Sequence, residues 1–355
     1  MDPALHKQLQ ADAQREAILV GKAQSRQQLS AADKHDLEQI ASRRQAIVDE
    51  RRKSLEAPFA HLTPLPPPLP RYENTAFGPS EMEFFTWCIG GRQDAVEEYI
   101  EAQRTQTSDA LLQRALASAC EGGKAQVARF LMQKGARVHG VAVEHACQKC
   151  DLELFEVLIE HGWHPNQQAP SAQGHFGVAL SHCVQNLQVV KLLLTHGADP
   201  NLGAFDRRIR GGFGDTPPMN RKSGVALEAA AACGNTDVID LLLQYGAILE
   251  WSTPLHAILN TAGPWERKRP AFVYLLGLGA DPNRNITYKY RNQWEGGTPL
   301  FWAMRFDNWD AVELLLESGA DPEFCNLAAI VKLFGKTKGF MAAVEKVKQK
   351  KINAT

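Results

Sequence analysis

The sequence lacks three features that would place it at once in a broad class: an excess of one charge, a long apolar run and a catalytic motif. Its 39 basic and 40 acidic residues leave a formal net charge of -1, so the chain has no general attraction for nucleic acid or anionic membranes. Nowhere do about 18 apolar residues run together, and no membrane-spanning helix is expected. Glycine-rich phosphate loops, Gly-x-Ser-x-Gly and His-Glu-x-x-His are also absent, so nothing indicates an active site or a cofactor.

Cysteine is scarce and odd in number. The chain has seven cysteines in 355 residues, which favours reduced thiols inside a cell over a secreted disulfide framework. The opening stretch, MDPALHKQLQADAQREA, has no apolar core of the kind that a secretory signal needs. A cytoplasmic or nuclear protein, or one found in both places, is therefore expected.

What the sequence does contain is a repeated apolar block. Six of seven such blocks are followed, after two further residues, by a glycine, which is typical of a helix end where the chain enters positive φ. The blocks are AVEEYI (95–100), VARFLM (127–132), LFEVLI (154–159), VVKLLL (189–194), VIDLLL (238–243), AFVYLL (271–276) and AVELLL (311–316). The pattern predicts that Leu192, Leu241 and Leu314 are buried between helices.

A second motif precedes the blocks. TPLH (253–256) and TPLF (298–301) place a capping Thr before a Pro in the first turn of a shorter helix, and GADPN (197–201 and 279–283) follows the block glycine. Together these motifs resemble the ankyrin repeat family over roughly residues 80–335. The resemblance implies an all-α ankyrin-repeat solenoid of about seven helix-turn-helix repeats, joined by long inter-repeat fingers.

Four segments are predicted along the chain. They are a helical N-terminal arm (1–57), a Pro-rich linker (58–79), the ankyrin repeats (80–325), and C-terminal capping helices with a basic tail (326–355). In the arm, Ser30 followed by Asp33 predicts a helix start. Whether the arm forms a coiled coil, docks on a partner or stays free is open.

The linker contains HLTPLPPPLPRY (61–72), whose five prolines favour an extended polyproline helix. Its PPLP is a core that some WW domains accept, and PxxP is one that SH3 domains accept. Arg71 follows Pro70 directly, one residue early for the commonest SH3 spacing. A plain stiff linker is the preferred interpretation.

The fingers depart from the twelve residues usual in the family. Those at 135–141 and 246–253 are shorter, whereas those at 162–176, 197–225 and 279–298 are longer. Loops of such length are often functional. Because all fingers of an ankyrin array point the same way, the short finger at 246–253 is expected to leave a gap into which a partner reaches.

The two longest inserts, 202–224 and 284–297, mix basic and aromatic residues, a common interface composition. By resemblance, the pair after the first helix of the last repeat also faces the groove. The predicted partner-binding residues are Arg207, Arg208, Arg210, Arg221, Lys222, Tyr288, Tyr290, Trp294, Arg305 and Phe306. The same composition could stack nucleic-acid bases, but the neutral chain favours a protein partner.

Two constellations invite a chemical interpretation. Cys147 and Cys150 form a Cys-x-x-Cys that could bind metal or act in redox chemistry. The resemblance instead places Cys147 at a small-residue position and Cys150 at the turn glycine, so a structural role is favoured. His256 is the histidine of TPLH, for which the resemblance implies structural hydrogen bonds. No catalytic, cofactor or metal residue is therefore assigned.

The function predicted is that of a non-enzymatic scaffold or adaptor, regulatory in role, that binds other proteins in its groove and fingers. One alternative is a nuclear transcriptional coregulator that binds DNA-bound factors. Another is an enzyme or accessory subunit with an unconventional site in the loops. The oligomeric state is left open.

Overall fold

The computed structural model describes residues 15, 19, 30–56, 64–70, 75–102, 108–171, 174–203, 219–290, 293–322 and 337–353. Within these residues a first compact unit ends at Pro64 and a second begins at Leu65. Among the described residues, none of the helices combines the length and apolar character needed to cross a bilayer.

The first unit contains the helix α1 (Ala31–Glu56). The Ser30 hydroxyl accepts a hydrogen bond from the Asp33 amide at 3.1 Å, and the Asp33 carboxylate accepts one from the Ser30 amide at 3.2 Å. This reciprocal pair satisfies two backbone donors at the helix start and confirms the predicted cap. Arg15 pairs with Asp36 at 2.7 Å. The predicted first helix of the arm lies mostly outside the described residues.

The second unit is built from helices, with strands only in two fingers of its described part. Its elements in chain order are α2 (Pro79–Gly90), α3 (Gln93–Ala102), α4 (Asp109–Gly122), α5 (Ala125–Gln133), α6 (Gly140–Lys149), α7 (Leu152–Glu160), β1 (Ala169–Ser171), β2 (Gly174–Gly177), a 3₁₀ turn (Ala179–His182), α8 (Leu187–Thr195), α9 (Val225–Cys233), α10 (Thr236–Gln244), a 3₁₀ turn (Leu249–Trp251), α11 (Pro254–Asn260), α12 (Trp265–Gly277), β3 (Ile286–Tyr290), β4 (Gln293–Gly297), α13 (Pro299–Arg305), α14 (Trp309–Glu317) and α15 (Thr337–Asn353).

These helices form seven consecutive pairs, as the repeat pattern predicts. The first members (α2, α4, α6, the 3₁₀ turn at Ala179–His182, α9, α11 and α13) pack on one another in order, and the second members from α3 to α12 do the same. In the fourth pair the first helix is thus reduced to one 3₁₀ turn. The last helix, α15, packs on α14.

Four of the second helices begin with a side-chain cap. The capping oxygen accepts a hydrogen bond from the backbone amide three residues later, which satisfies one of the free donors of the first turn. The caps are Asp151, Asn186, Asn235 and Asn308. This explains why each helix starts where it does.

The core between the two rows of helices is displaced by one residue from the prediction. Leu193, Leu242 and Leu315 are completely buried, whereas the predicted Leu192, Leu241 and Leu314 are only partly buried and pack against the core from its edge. A 3.6-residue period brings positions i, i+3 and i+4 to one face. In a run of three leucines this leaves the first one at the margin of that face.

An asparagine at the base of three fingers bonds to the next repeat. The amide of Asn166 donates to the Gly197 carbonyl and accepts from the Asp199 amide, both at 2.8 Å. Two further asparagines make the same pair of bonds: Asn201 to Gly246 and Ile248 at 2.8 and 2.9 Å, and Asn283 to Gly319 and Asp321 at 3.0 and 2.7 Å. We call each of these contacts an asparagine bridge. They fix neighbouring fingers against each other.

Two of the long fingers contain a β-hairpin. Strand β1 pairs antiparallel with β2, and β3 pairs antiparallel with β4, with Ile286 opposite Gly297 and Tyr290 opposite Gln293. Hairpins of this kind satisfy the backbone groups of a loop without a core of its own. The repeats themselves are all-α, as predicted.

Part of the proline-rich segment packs within the second unit. The backbone amide of Leu69 donates to the Gln168 carbonyl at 3.0 Å, and the Gln167 side chain donates to the Pro67 carbonyl at 3.2 Å. Leu69 is buried in the core of the array. Over Leu65–Pro70 the predicted linker is therefore seated on the finger that follows the third repeat.

Buried histidines also connect neighbouring repeats. Nε2 of His256 lies 3.0 Å from the Gly297 carbonyl, and Nε2 of His139 lies 2.8 Å from the Gln113 carbonyl. Since a carbonyl only accepts, each Nε2 carries the hydrogen. Burial lowers the pKa of both rings. The structural hydrogen bond that the resemblance implies for His256 is present.

The displaced core generates a paired stability prediction. Leu242→Ala should lower the free energy of unfolding by about 2–5 kcal/mol because it opens a cavity at a fully buried site, and Leu241→Ala should cost clearly less. Urea unfolding of the two variants beside the parent measures both costs. Equal losses, or a larger loss for Leu241, would show that the burial is assigned to the wrong leucine.

The buried His256 generates a pH prediction. Its pKa is below 6.5 in the folded chain, so the unfolded chain takes up a proton more readily and stability falls as the pH drops through about 6.5, by at most about 1.4 kcal/mol per pH unit for this ring. His256→Gln should be less stable at pH 7.5, with a shallower loss towards pH 5.5. Thermal unfolding across this range tests it, and a slope identical to the parent's would refute it.

Candidate protein-binding surface

The structure brings three consecutive fingers into contact. The finger after the fifth repeat is short and lies between two long ones. On one side the Lys222 ammonium lies 5.7 Å from the ring centre of Trp251. On the other, the Arg284 guanidinium lies 3.4 Å from the Glu250 carbonyl oxygen. Two basic residues therefore border the short finger, one from each long neighbour.

A cavity of about 180 Å³ lies between the short finger and the one that follows. Its lining includes Leu249, Glu250 and Ser252 from the short finger and Gly279–Asp281 from the next, together with Arg284 and His256. Glu250 and Asp281 are both exposed. The expected gap beside the shortened finger is thus present, and its size suits one amino-acid side chain.

The cavity occupies the place of a missing asparagine bridge. Asn166, Asn201 and Asn283 each stand four residues after the glycine that ends a second helix, and at this junction Glu250 stands four residues after Gly246. Asn166 bonds the carbonyl of Gly197 and the amide of Asp199. The equivalent residues at this junction are Gly279 and Asp281, and both line the cavity. The cavity is therefore the space that an asparagine amide would otherwise fill.

A different contact holds this junction together. Both the backbone amide and the hydroxyl of Thr253 donate to the Glu228 carboxylate at 2.8 Å. The second ring nitrogen of His256, Nδ1, is buried without a hydrogen-bond partner. Since the Thr253 hydroxyl is directed to Glu228, it does not serve that nitrogen.

An exposed aromatic residue directly follows the first helix of the final repeat. Phe306 is 49% exposed and stacks on Trp302 with ring centres 5.7 Å apart. The Arg305 guanidinium lies 5.4 Å from the centre of the same Trp302 ring, a cation–π distance. Trp302 is buried, so a packed core residue orders the two exposed side chains.

The remaining predicted contact residues are only partly placed. Arg207, Arg208 and Arg210 lie outside the described residues, and Arg221 is half-buried beside Lys222. Tyr288, Tyr290 and Trp294 belong to the β3–β4 hairpin, whose backbone pairs Lys289 with Trp294. Their role in binding stays a prediction.

A second cavity, of about 610 Å³, lies between the helix-to-helix turns of the last two repeats and was not predicted. Its walls include Asn260–Gly263, Trp265, Lys268 and Phe306–Trp309. In the sixth repeat the turn Thr261–Pro264 is longer than in the fifth, where Gly234 and Asn235 alone separate the helices, and α12 starts one turn early. The letters TAGPWERK, placed before AFVYLL, are the sequence signal of this insertion.

Lys268 closes the inserted turn. Its ammonium donates to the carbonyls of Ile258 at 2.9 Å and Thr261 at 2.5 Å, where the end of α11 leaves carbonyls free and favours a cation. The residue is 7% exposed, and burial lowers its pKa. These bonds assign Lys268 a structural role in the turn.

The Cys-x-x-Cys has a structural environment. Cys150 adopts a φ of +51°, at the position where Gly91, Gly123 and Gly234 have values of 65° to 74°, and its thiol donates to the Cys183 carbonyl at 3.6 Å. Cys147 is buried against the fourth repeat. Across the described part of the chain, no group of three or more His, Cys, Asp or Glu side chains is arranged to hold a metal ion.

Residues 295–327 match the family model described as Ankyrin repeat. No curated protein sequence matches the chain. Among solved structures, the ankyrin repeat domain of Bcl-3, described as a unique member of the IkappaB protein family, is 22% identical, with 68% of this chain and all of that domain covered at a TM-score of 0.41. The human ASB11 ankyrin repeat domain is 18% identical, with 69% and 85% covered at 0.34.

The matched residues span β4, α13 and α14. The same unit, a finger followed by a first and a second helix, recurs along the preceding repeats, with the glycine-terminated second helices and the asparagine bridges described above. Residues 295–327 therefore match an ankyrin repeat, and the described repeats before them have the same helical architecture.

Proposed function

We propose that the chain is a non-enzymatic adaptor that binds a protein partner. The binding surface consists of the short finger 246–253, the two long fingers on either side of it and the exposed residues at the end of α13. Ankyrin repeats present extended surfaces that generally bind other proteins. The observation that carries the proposal is the short finger between two long ones, with a side-chain-sized cavity beside it. A cytoplasmic or nuclear location belongs to the proposal and rests on the sequence alone.

The chemistry of this surface supports a protein partner. Basic groups from Lys222 and Arg284 flank the acidic Glu250 and Asp281, so the surface offers both signs of charge within a short span. Arg and aromatic residues dominate binding energy at protein interfaces, and Phe306 is a large apolar side chain that the fold leaves exposed. A partner that inserts one side chain into the cavity and covers Phe306 uses both features.

Removal of the anchoring side chains should abolish capture of the partner. Parent chain, Arg208→Ala, Trp294→Ala and Phe306→Ala are used as baits in native extract, with Met82→Ala as a control because Met82 is 51% exposed in the first repeat. A true anchor costs about 2 kcal/mol or more, roughly thirtyfold in affinity. We expect proteins retained by the parent and Met82→Ala to be lost from the other baits. Equal capture by all five would place the binding surface elsewhere.

Glu250→Asn closes the cavity from within. An asparagine at this position should bond Gly279 and Asp281 as the other bridges do, and each added hydrogen bond contributes about 0.5–1.5 kcal/mol. The variant should therefore have a higher melting temperature and lose the partner that the parent captures. Higher stability with unchanged capture would separate the cavity from the binding surface, and unchanged stability would show that no bridge forms.

A further inference from the structure

The proline-rich segment Leu65–Pro70, here called the strap, presents two different sides. Leu69 is 6% exposed and belongs to the hydrophobic core of the array. Pro67, Pro68 and Pro70 are exposed. The strap is therefore held by one leucine anchor, while its prolines face outward.

The finger after the third repeat supplies the acceptor for the strap. The Gln168 carbonyl accepts the Leu69 amide, and the Gln167 side chain bonds the Pro67 carbonyl. The strap backbone is thus bonded at Pro67 and Leu69, two residues apart, by adjacent residues of the finger. Since prolines have no amide hydrogen, Leu69 is the one residue of Pro66–Pro70 that can donate from its backbone.

The closed state, in which the strap is bound to the finger, includes one unfavourable interaction. Gln168 is 6% exposed, and its side-chain nitrogen is buried without a hydrogen-bond partner. A buried donor left unpaired destabilises the state that buries it. The strap is held by one buried leucine and two hydrogen bonds, and the unpaired amide offsets part of their stabilisation. The strap can therefore dissociate from the array and bind again.

We propose that the strap is a ligand for a WW-type proline-recognition domain and that the array masks it. Such domains bind an extended polyproline helix in aromatic-lined grooves, and the PPLP core, Pro67–Pro70, lies wholly within the strap. The SH3 class fits less well because Arg71 follows the last proline one residue early. Leu69 lies inside the core this domain must bind, so Leu69 cannot occupy the array and the WW groove together.

Masking of the strap should lower its apparent affinity for a WW domain by a measurable factor. The apparent affinity of a ligand is reduced by the fraction of molecules in the open state, and burial of one leucine side chain typically shifts such an equilibrium roughly ten- to a hundredfold. A WW domain should therefore bind the full chain about ten- to a hundredfold more weakly than it binds the same residues in a free peptide.

The experiment titrates a WW domain that accepts PPLP with the full-length chain and with a synthetic peptide of residues 61–72. Gln167→Ala removes one strap hydrogen bond and should bring the full chain roughly two- to tenfold closer to the peptide. Gln188→Ala, a change at an exposed glutamine on α8, serves as the matched control and should bind like the parent.

Hydrogen exchange at the Leu69 amide gives a second readout. This amide is bonded to Gln168 in the closed state, so it should exchange slowly in the free chain and rapidly at saturation with the WW domain. Equal affinities of chain and peptide would overturn the masking. Failure of the peptide to bind would overturn the ligand assignment, and slow exchange that persists at saturation would show that the domain binds without releasing Leu69.

Discussion

One side-chain amide, repeated along the array, makes the hydrogen bonds on which the arrangement of the fingers depends. Asn166, Asn201 and Asn283 each satisfy one backbone carbonyl and one backbone amide of the following repeat. Helix packing alone fixes the two rows of helices, but the fingers have no apolar core of their own. Since an unpaired backbone group in such a place is costly, the bridges determine how the bases of these three fingers sit on their neighbours.

Two fingers have another residue in place of the bridging asparagine, and there the contact between neighbouring fingers differs. The shortened fingers carry His139 and Glu250 at the bridge position, and the histidine bonds backward to the Gln113 carbonyl instead. At Glu250 the space stays open as a cavity, and the Glu228 carboxylate of α9 accepts a hydrogen bond from the Thr253 hydroxyl. Order in the solenoid and access to its surface thus depend on the same residue position.

The sequence predicts the solenoid well because each repeat depends on local signals: a glycine at a helix end, a proline after it and one apolar face. It misplaces the core leucine because a run of three leucines satisfies two helical phases, which only packing resolves. The inserted turn at Thr261–Pro264 can be recognised in the sequence. Its closure by Lys268 cannot be predicted in the same way, because it depends on where two backbone carbonyls lie in the folded chain. Of the predicted contact residues, Lys222 lies against the short finger at Trp251. Arg284, which was not among them, contacts the same finger from the other side, because the position of a loop residue depends on how neighbouring fingers pack.

The strap and the finger that binds it are far apart along the chain, so they are synthesised at different times. Gln167 follows Pro67 by 100 residues, whereas the asparagine bridges span 31 to 47. At a translation rate of about 5–20 residues per second, the proline segment leaves the ribosome roughly 5–20 s before the finger that receives it. Each new molecule therefore passes through an interval in which the prolines and Leu69 are exposed together, and the third repeat ends that interval when it folds.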